Sequence, residues 1–267
     1  KKVNLSSIKL PINHWIYNEF INSQNIISAK IKAFRFDEAA KHTYQFVWHS
    51  YCDWYIEFLK PILNSKNAKD IAEVKQFSAF MMANILKLLH PFIPFFTETI
   101  WEKNKYKSIF KDHLVSSSWP NYKTINKFKN NQNEINNIIE VISGIRSVKS
   151  ELKVTPKLYC SIILSKRQNK LKKIINNNID LIKHVGRVSG ILNSYKNKKN
   201  IIDILVLKEQ ISLKFGEEIN FDTQMEGIRK KLNNIEKQIN ALDIKLKNKA
   251  YLKNAPKNIV ENDKKLI

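Results

Sequence analysis

Apolar residues recur at steps of three and four along most of this chain, and that spacing predicts helices. Trp15, Ile16, Phe20, Ile27 and Ile31 mark a helix over 12–33, with Pro11 suited to its first turn. After Phe34-Arg35-Phe36 a second helix is expected from about Asp37, a residue type that caps helix N-termini. Its stripe runs Ala40, Tyr44, Val47, Tyr51, Trp54, Phe58, and Pro61 is expected to end it. A third helix spans about Ile71 to Leu89 through Val74, Phe77, Phe80, Met81, Ile85 and Leu88, and His90-Pro91 stops it. Pro94 opens a shorter fourth helix that reaches Trp101. Residues 10–105 therefore predict an antiparallel helical bundle.

Residues 106–133 are polar, with Trp119-Pro120 as a tether. Ile135, Ile138, Ile142, Ile145 and Val148 predict another amphipathic helix that ends before Pro156. The pattern then changes. Leu158–Leu164, Ile201–Leu207 and Gln210–Phe215 are strand candidates, and 168–184 is a basic amphipathic helix, together a small α+β insert. Thr223-Gln224-Met225-Glu226 has the form of a capping box. Beyond it Met225, Ile228, Leu232, Ile235, Ile239, Leu242 and Leu246 form a heptad seam on a rod of roughly 40 Å. Asn254-Ala255-Pro256 reads as a turn, and 257–267 as the start of a returning helix too short to cover the seam. The expected fold is mainly α, in three parts: a bundle over 1–125, a connecting helix with the α+β segment over 126–221, and a coiled-coil arm over 222–267.

Composition narrows the function. The chain has 267 residues, 43% of them hydrophobic, which excludes wholesale disorder. Only 5 Gly and 7 Pro disfavour glycine-rich phosphate loops and turn-rich β folds. Against 24 acids stand 46 Lys and Arg, a net charge of +22. The excess calls for a polyanion, nucleic acid before an anionic membrane surface. Cys52 and Cys160 are far apart with no CxxC, so a structural zinc site is not expected and a reduced cytoplasmic setting fits. No apolar run nears the roughly 18 residues of a membrane helix, and residues 1–10 lack a signal-peptide core. The first residue is not Met, which reads as a piece of a longer chain.

Enzyme signatures are missing: there is no GxGxxG, GxxxxGK[ST], HExxH or GxSxG. Of the histidines only His42 and His49, seven apart on one helix, approach a shared face, and a surface pair is the simpler reading. Asp53 and Glu57 form an i, i+4 carboxylate pair, but Lys60 lies three residues past Glu57 and a surface ion pair accounts for it. No catalytic or metal-ligating set is assigned.

Two strings carry a resemblance: FRFDEAAKHTYQFVWHSYCDWYIEFLKP at 34–61 and HPFIPFFTETIW at 90–101. Together they resemble the anticodon-binding helical domain of class I aminoacyl-tRNA synthetases. Cys52-Asp53-Trp54-Tyr55 with Lys60-Pro61 is similar to the valyl-tRNA synthetase family in particular. GIRSVKSELKVTP at 144–156 and KLKNKAYLKNAPKNIV at 245–260 resemble the connecting segment and C-terminal coiled coil of its bacterial-type members. The likeness is strong over 10–105, moderate over 135–160 and 222–267, and weak over 160–220. Asn13-His14-Trp15 stands where family members often have Asp-Arg-Trp, so a role carried by that Arg does not transfer.

The resemblance implies a partner, tRNA(Val), and no activation or transfer of valine by this chain, because the family's HIGH-type and KMSKS-type signatures are absent. ATP and Mg2+ are implied for a catalytic part elsewhere, none for these residues, and the full-length enzyme would be a cytoplasmic monomer without membrane attachment. It further implies that the bundle receives the anticodon loop through Arg35, Phe36, Lys41, Asp53, Trp54, Ile56, Glu57 and Lys60. Glu57 would accept from an exocyclic amine, and Phe36, Trp48 and Trp54 are aromatics available for stacking. Arg146, Lys149, Arg229, Lys230, Lys237, Lys245, Lys264 and Lys265 would meet the RNA backbone along the stem and outer corner. Two other classes stay open: a free-standing RNA-binding module, told apart by its upstream coding sequence, and a structural coiled-coil protein, told apart by sedimentation.

Overall fold

The computed structural model describes residues 3–106, 113–129, 131–164, 169–192, 199–216, 222–248, 251, 256 and 260–262. Helix α1 (Pro11–Lys32) starts on a proline at its first position, where the missing N–H costs nothing, and buries Trp15, Ile16, Tyr17, Phe20 and Ile27. It packs on α2 (Phe36–Gln45), on the π-helical continuation Phe46–Tyr55, and on α4 (Ala68–Leu89). Asn67 caps α4, its side chain accepting from the Lys69 and Asp70 N–H groups. Pro94 opens α5 (Pro94–Lys103), and Trp101 from that helix is fully buried.

The second helix departs from its expected register. Between Phe46 and Tyr55 the backbone widens into a π-helix, and the Ile56 N–H reaches back to the Tyr51 carbonyl. A π turn takes one more residue than an α turn. In α2 the buried face runs Ala39, Thr43, Phe46, one residue off the expected stripe, and the five-residue step to Tyr51 brings it back to Tyr51, Tyr55, Phe58 and Leu59. Tyr44 leaves the core and stands 57% exposed. Pro61 does not stop the helix either. It lies inside α3 (Ile56–Leu63), which runs on for two residues to Leu63.

Past a short α6 (Asn126–Lys129), α7 (Gln132–Glu151) lies against α1 on one side and the sheet on the other. The sheet contains β1 (Cys160–Ile163), β2 (Val188–Leu192), β3 (Ile201–Val206) and β4 (Glu209–Phe215), in the order β2-β1-β4-β3. β1 and β2 are parallel, joined through α8 (Asn169–Asn177) and α9 (Ile179–Gly186), and the other two pairings are antiparallel. The expected 168–184 helix is thus two helices broken at Asn178, and β2 is a strand that the sequence pattern does not announce. Gly144 lets α7 approach β3, since a Cβ there would lie 2.9 Å from Val206 Cγ2. One hydrophobic cluster runs from α1 through α7 into the sheet, so bundle and sheet share a core.

The heptad segment forms α10 (Asp222–Lys247). Of its seam, Leu232, Ile235 and Ile239 are exposed while Leu242 and Leu246 are half-buried. The side chains of the capping box and of Met225 and Ile228 lie outside the described residues except for Glu226, as does most of the expected returning helix. Among the described residues no helix is long and apolar enough to cross a membrane.

Candidate nucleic-acid interface

Two helix turns meet at one end of the bundle. Helix α1 ends in a Schellman arrangement: Phe34 N–H donates to Ile31 O (3.0 Å) and Arg35 N–H to Lys30 O (2.9 Å). The left-handed residue in such a turn is usually Gly, but here it is Phe34, at φ 57°. That conformation turns the Phe34 ring outward, 80% exposed, with its edge toward Phe36 (6.2 Å between centroids). Beside it lies a groove of 390 Å³ lined by Ile31, Lys32, Phe36, Pro91, Phe92 and Trp119. Trp119 is held by its indole N–H on Ser28 Oγ at 2.9 Å. Ile93, Phe95 and Phe96 of the neighbouring turn are also exposed, Phe95 at 89%. Large rings left this open mark a surface made to be covered.

The eight residues expected at the anticodon do not share one place. Arg35 and Phe36 sit at the groove end, and Arg35 is ion-paired with Glu38, which also binds Lys30. Lys41 is exposed one turn further on. Asp53 to Lys60 lie roughly 25–35 Å from Phe36, given about 1.5 Å rise per helical residue. At that far end Lys60 and Glu57 form the expected surface ion pair. Trp54 is half-buried on the core, its ring 5.8 Å from Phe58, and Ile56 also packs inward. Glu57 faces outward only in part.

The expected backbone contacts divide too. Arg146 is exposed, stacked over Trp54 with Cζ 5.1 Å from the ring centroid, and donates to Val185 O at 3.1 Å. Lys149 is 2% exposed. Its ammonium donates to Leu158 O (2.7 Å), Gly186 O (2.9 Å) and Arg187 O (3.2 Å), which uses all three protons. Burial and the nearby Arg187 and Arg146 charges hold its amine below the usual lysine range. The expectation of a phosphate contact at Lys149 is therefore corrected: it clamps the end of α9 to α7. On α10, Arg229, Lys230, Lys237 and Lys245 are exposed, Lys230 paired with Glu226 at 3.0 Å. Lys264 and Lys265 lie outside the described residues.

Asn13 and His14, the departure from the family's Asp-Arg, are buried in a polar network. Asn13 accepts from Tyr55 OH (2.7 Å) and donates to Glu73 (2.9 Å), while His14 Nε2 meets Ile8 O (3.0 Å) and Nδ1 meets Asn131 (2.5 Å). Burial lowers the His14 pKa, so the neutral ring fits this place. Sequence reasoning missed Tyr44, Phe34, Phe92 and Phe95, because spacing alone assigns apolar residues to a core. The bulky residue after Ala33 was a signal, since the segment joining two helices calls for a left-handed turn.

A family profile described as "Anticodon-binding domain of tRNA ligase" matches residues 13–164, and one described as "Valyl tRNA synthetase tRNA binding arm" matches 220–266. The chain is 36% identical over 259 residues to a valine–tRNA ligase of Pelagibacter ubique, covering 96% of this chain and 29% of that protein. A valine–tRNA ligase of Mesorhizobium japonicum is 30% identical over 266 residues, covering 98% of this chain and 28% of the relative. The chain thus spans less than a third of the length of the curated relatives it matches. With the first profile covering more than half of its residues, all in the bundle and the helix and strand that follow it, the chain belongs to the family of anticodon-binding domains of tRNA ligases.

Proposed function

We propose that this chain is the RNA-gripping region of a valine–tRNA ligase and that its partner is tRNA(Val). The groove end of the bundle takes bases of the anticodon loop, and the basic faces of α10 follow the phosphates of the outer corner. The groove at Phe36 carries the reading. A single-stranded loop is recognised by splaying its bases onto flat side chains beside polar groups. Phe36, Phe34 and Phe95 are flat and open, and Lys32 stands at the groove wall as a point charge for a phosphate. The two family profiles and the valine–tRNA ligase relatives support the same assignment.

Bond-making lies elsewhere on this reading. Aminoacylation with ATP and Mg2+ belongs to a catalytic part, and these residues position the substrate for it. Filter binding of the full chain to tRNA(Val) and to anticodon-substituted versions tests the proposal. Weaker binding of the substituted RNAs is the expected result, while equal binding of every tRNA removes the anticodon-reading part.

A further inference from the structure

The second helix carries another exposed face that the groove does not include. Tyr44 and Trp48 are 57% and 52% exposed, and their rings are parallel within 5° at 6.1 Å between centroids. His49 sets its ring against Tyr44 edge-on at 6.2 Å, and its Nδ1 lies 3.2 Å from Asp53 Oδ2. These contacts join four side chains into one continuous patch. The two rings are parallel, and His49, which meets Tyr44 with its edge and Asp53 with its Nδ1, links the carboxylate to them. Lys41, one helical turn before Tyr44, is exposed and supplies positive charge. Tyr44 lies on a side of α2 turned away from its buried Ala39 and Thr43, and the π segment that follows carries Trp48, His49 and Asp53.

A flat aromatic pair bordered by an acceptor matches the chemistry of an unpaired base. Any base stacks on the rings, and an ionised carboxylate only accepts hydrogen bonds. It therefore favours a base edge that presents two adjacent N–H donors, which guanine does with N1–H and its exocyclic amine. We infer that Tyr44, Trp48, His49 and Asp53 form a second base-binding face, selective for an unpaired guanine, on the same RNA-binding bundle. This rests on the tRNA-binding reading but involves a place roughly 12–25 Å along the helix from Phe36, at about 1.5 Å per residue. The occupant is RNA rather than protein, because the chain carries a net charge of +22 and the patch offers a base acceptor.

The test uses the full chain and three short RNAs of identical length: oligouridine, the same with one central guanosine, and the same with one central inosine. Fluorescence anisotropy at low ionic strength gives the affinities. The guanosine RNA should bind tightest, with inosine, which lacks the exocyclic amine, below it. Tyr44→Ala and Trp48→Ala should each weaken binding of the guanosine RNA by about 5- to 100-fold. Tyr44→Phe and Trp48→Phe, which keep a flat ring, should retain most of it. Asp53→Asn should erase the guanosine preference and leave oligouridine binding within about twofold. Circular dichroism melting of each variant checks the fold, and both aromatic positions are more than half exposed, so truncation empties no core. Unchanged affinity in both alanine variants, or a guanosine preference that survives Asp53→Asn, overturns the inference. If Phe36→Ala weakens tRNA(Val) binding while the Tyr44 and Trp48 variants do not, the face is wrong and the groove stands. If the wild-type chain binds neither tRNA nor these RNAs, both fall.

Discussion

The guanidinium of Arg146 lies over the indole of Trp54, Cζ 5.1 Å from the ring centroid, and so joins α7 to the far end of the widened second helix. The same guanidinium donates to Val185 O on α9, so three elements meet at one side chain. An exposed cation over a half-buried ring contributes about 0.5–1 kcal/mol. Arg146→Ala should therefore lower stability by about 1–2 kcal/mol, hydrogen bond included. A double-mutant cycle with Trp54→Leu, read by urea unfolding, should return a coupling of about 0.5–1 kcal/mol. A coupling of zero would reduce the stack to mere proximity.

Phe34 separates stability from binding. Its left-handed backbone costs about 1 kcal/mol or more for a residue with a Cβ, and its ring makes little contact with the core at 80% exposure. Phe34→Gly should raise the unfolding midpoint, by about 1 kcal/mol in free energy, and weaken tRNA binding. Thermal melts and filter binding on the same sample decide it. A loss of both would place Phe34 in the packing instead.

Lys149 should behave as a core residue. Lys149→Met keeps the apolar stem but strands three carbonyls, at a cost of about 2–4 kcal/mol. The salt dependence of RNA binding by the folded variant should match the wild type, because no phosphate contact is lost. A shallower slope would return Lys149 to the interface.

Buried phenols set the alkaline limit. Tyr17, whose hydroxyl donates to Lys123 O at 3.0 Å, has its pKa pushed up by burial, and secondarily by Tyr122, from 10.0 to about 12. Tyr51 and Tyr55 are raised by burial as well. A folded value above the unfolded one means stability that is whole below pH 10 and drains away as pH climbs toward about 12. Urea midpoints should fall steeply across that window. Tyr17→Phe should lose about 1 kcal/mol at neutral pH and show a gentler alkaline fall. An unchanged slope would remove Tyr17 from the titration.

The arm is tested by salt. If Lys237 and Lys245 each meet a phosphate, replacing either by Ala should reduce the slope of log affinity against log salt by about 0.7–0.9. Anticodon discrimination should be untouched, since point charges position the RNA and do not read it. Equal slopes for wild type and variants would clear α10 of that role.

Periodicity alone carried the helical bundle and the amphipathic α7, because a stripe at steps of three and four has one way to bury itself, and it gave the helix of α10 although most of the described seam stays exposed. Phe77, Met81, Ile85 and Leu88 lie inward where their spacing puts them. The basic character and the family were readable for a similar reason: charge and short motifs are local properties of the chain. Three things were settled by the packed molecule. The buried face of α2 is Ala39, Thr43 and Phe46, one residue off the expected stripe, so Tyr44 read as core while the folded chain turns it to solvent, and the π step from Phe46 to Tyr51 that restores the stripe is invisible to a fixed helical period. Lys149 reads as surface in any sequence, and only three carbonyls converging from α9 and the segment before β1 make its burial tolerable. Val188–Leu192 becomes a strand because β1 offers it a parallel edge, and pairing with a segment 28 residues away leaves no trace in its own composition. Local patterns name the elements. Contacts between distant segments determine which faces stay open, and binding happens on those faces.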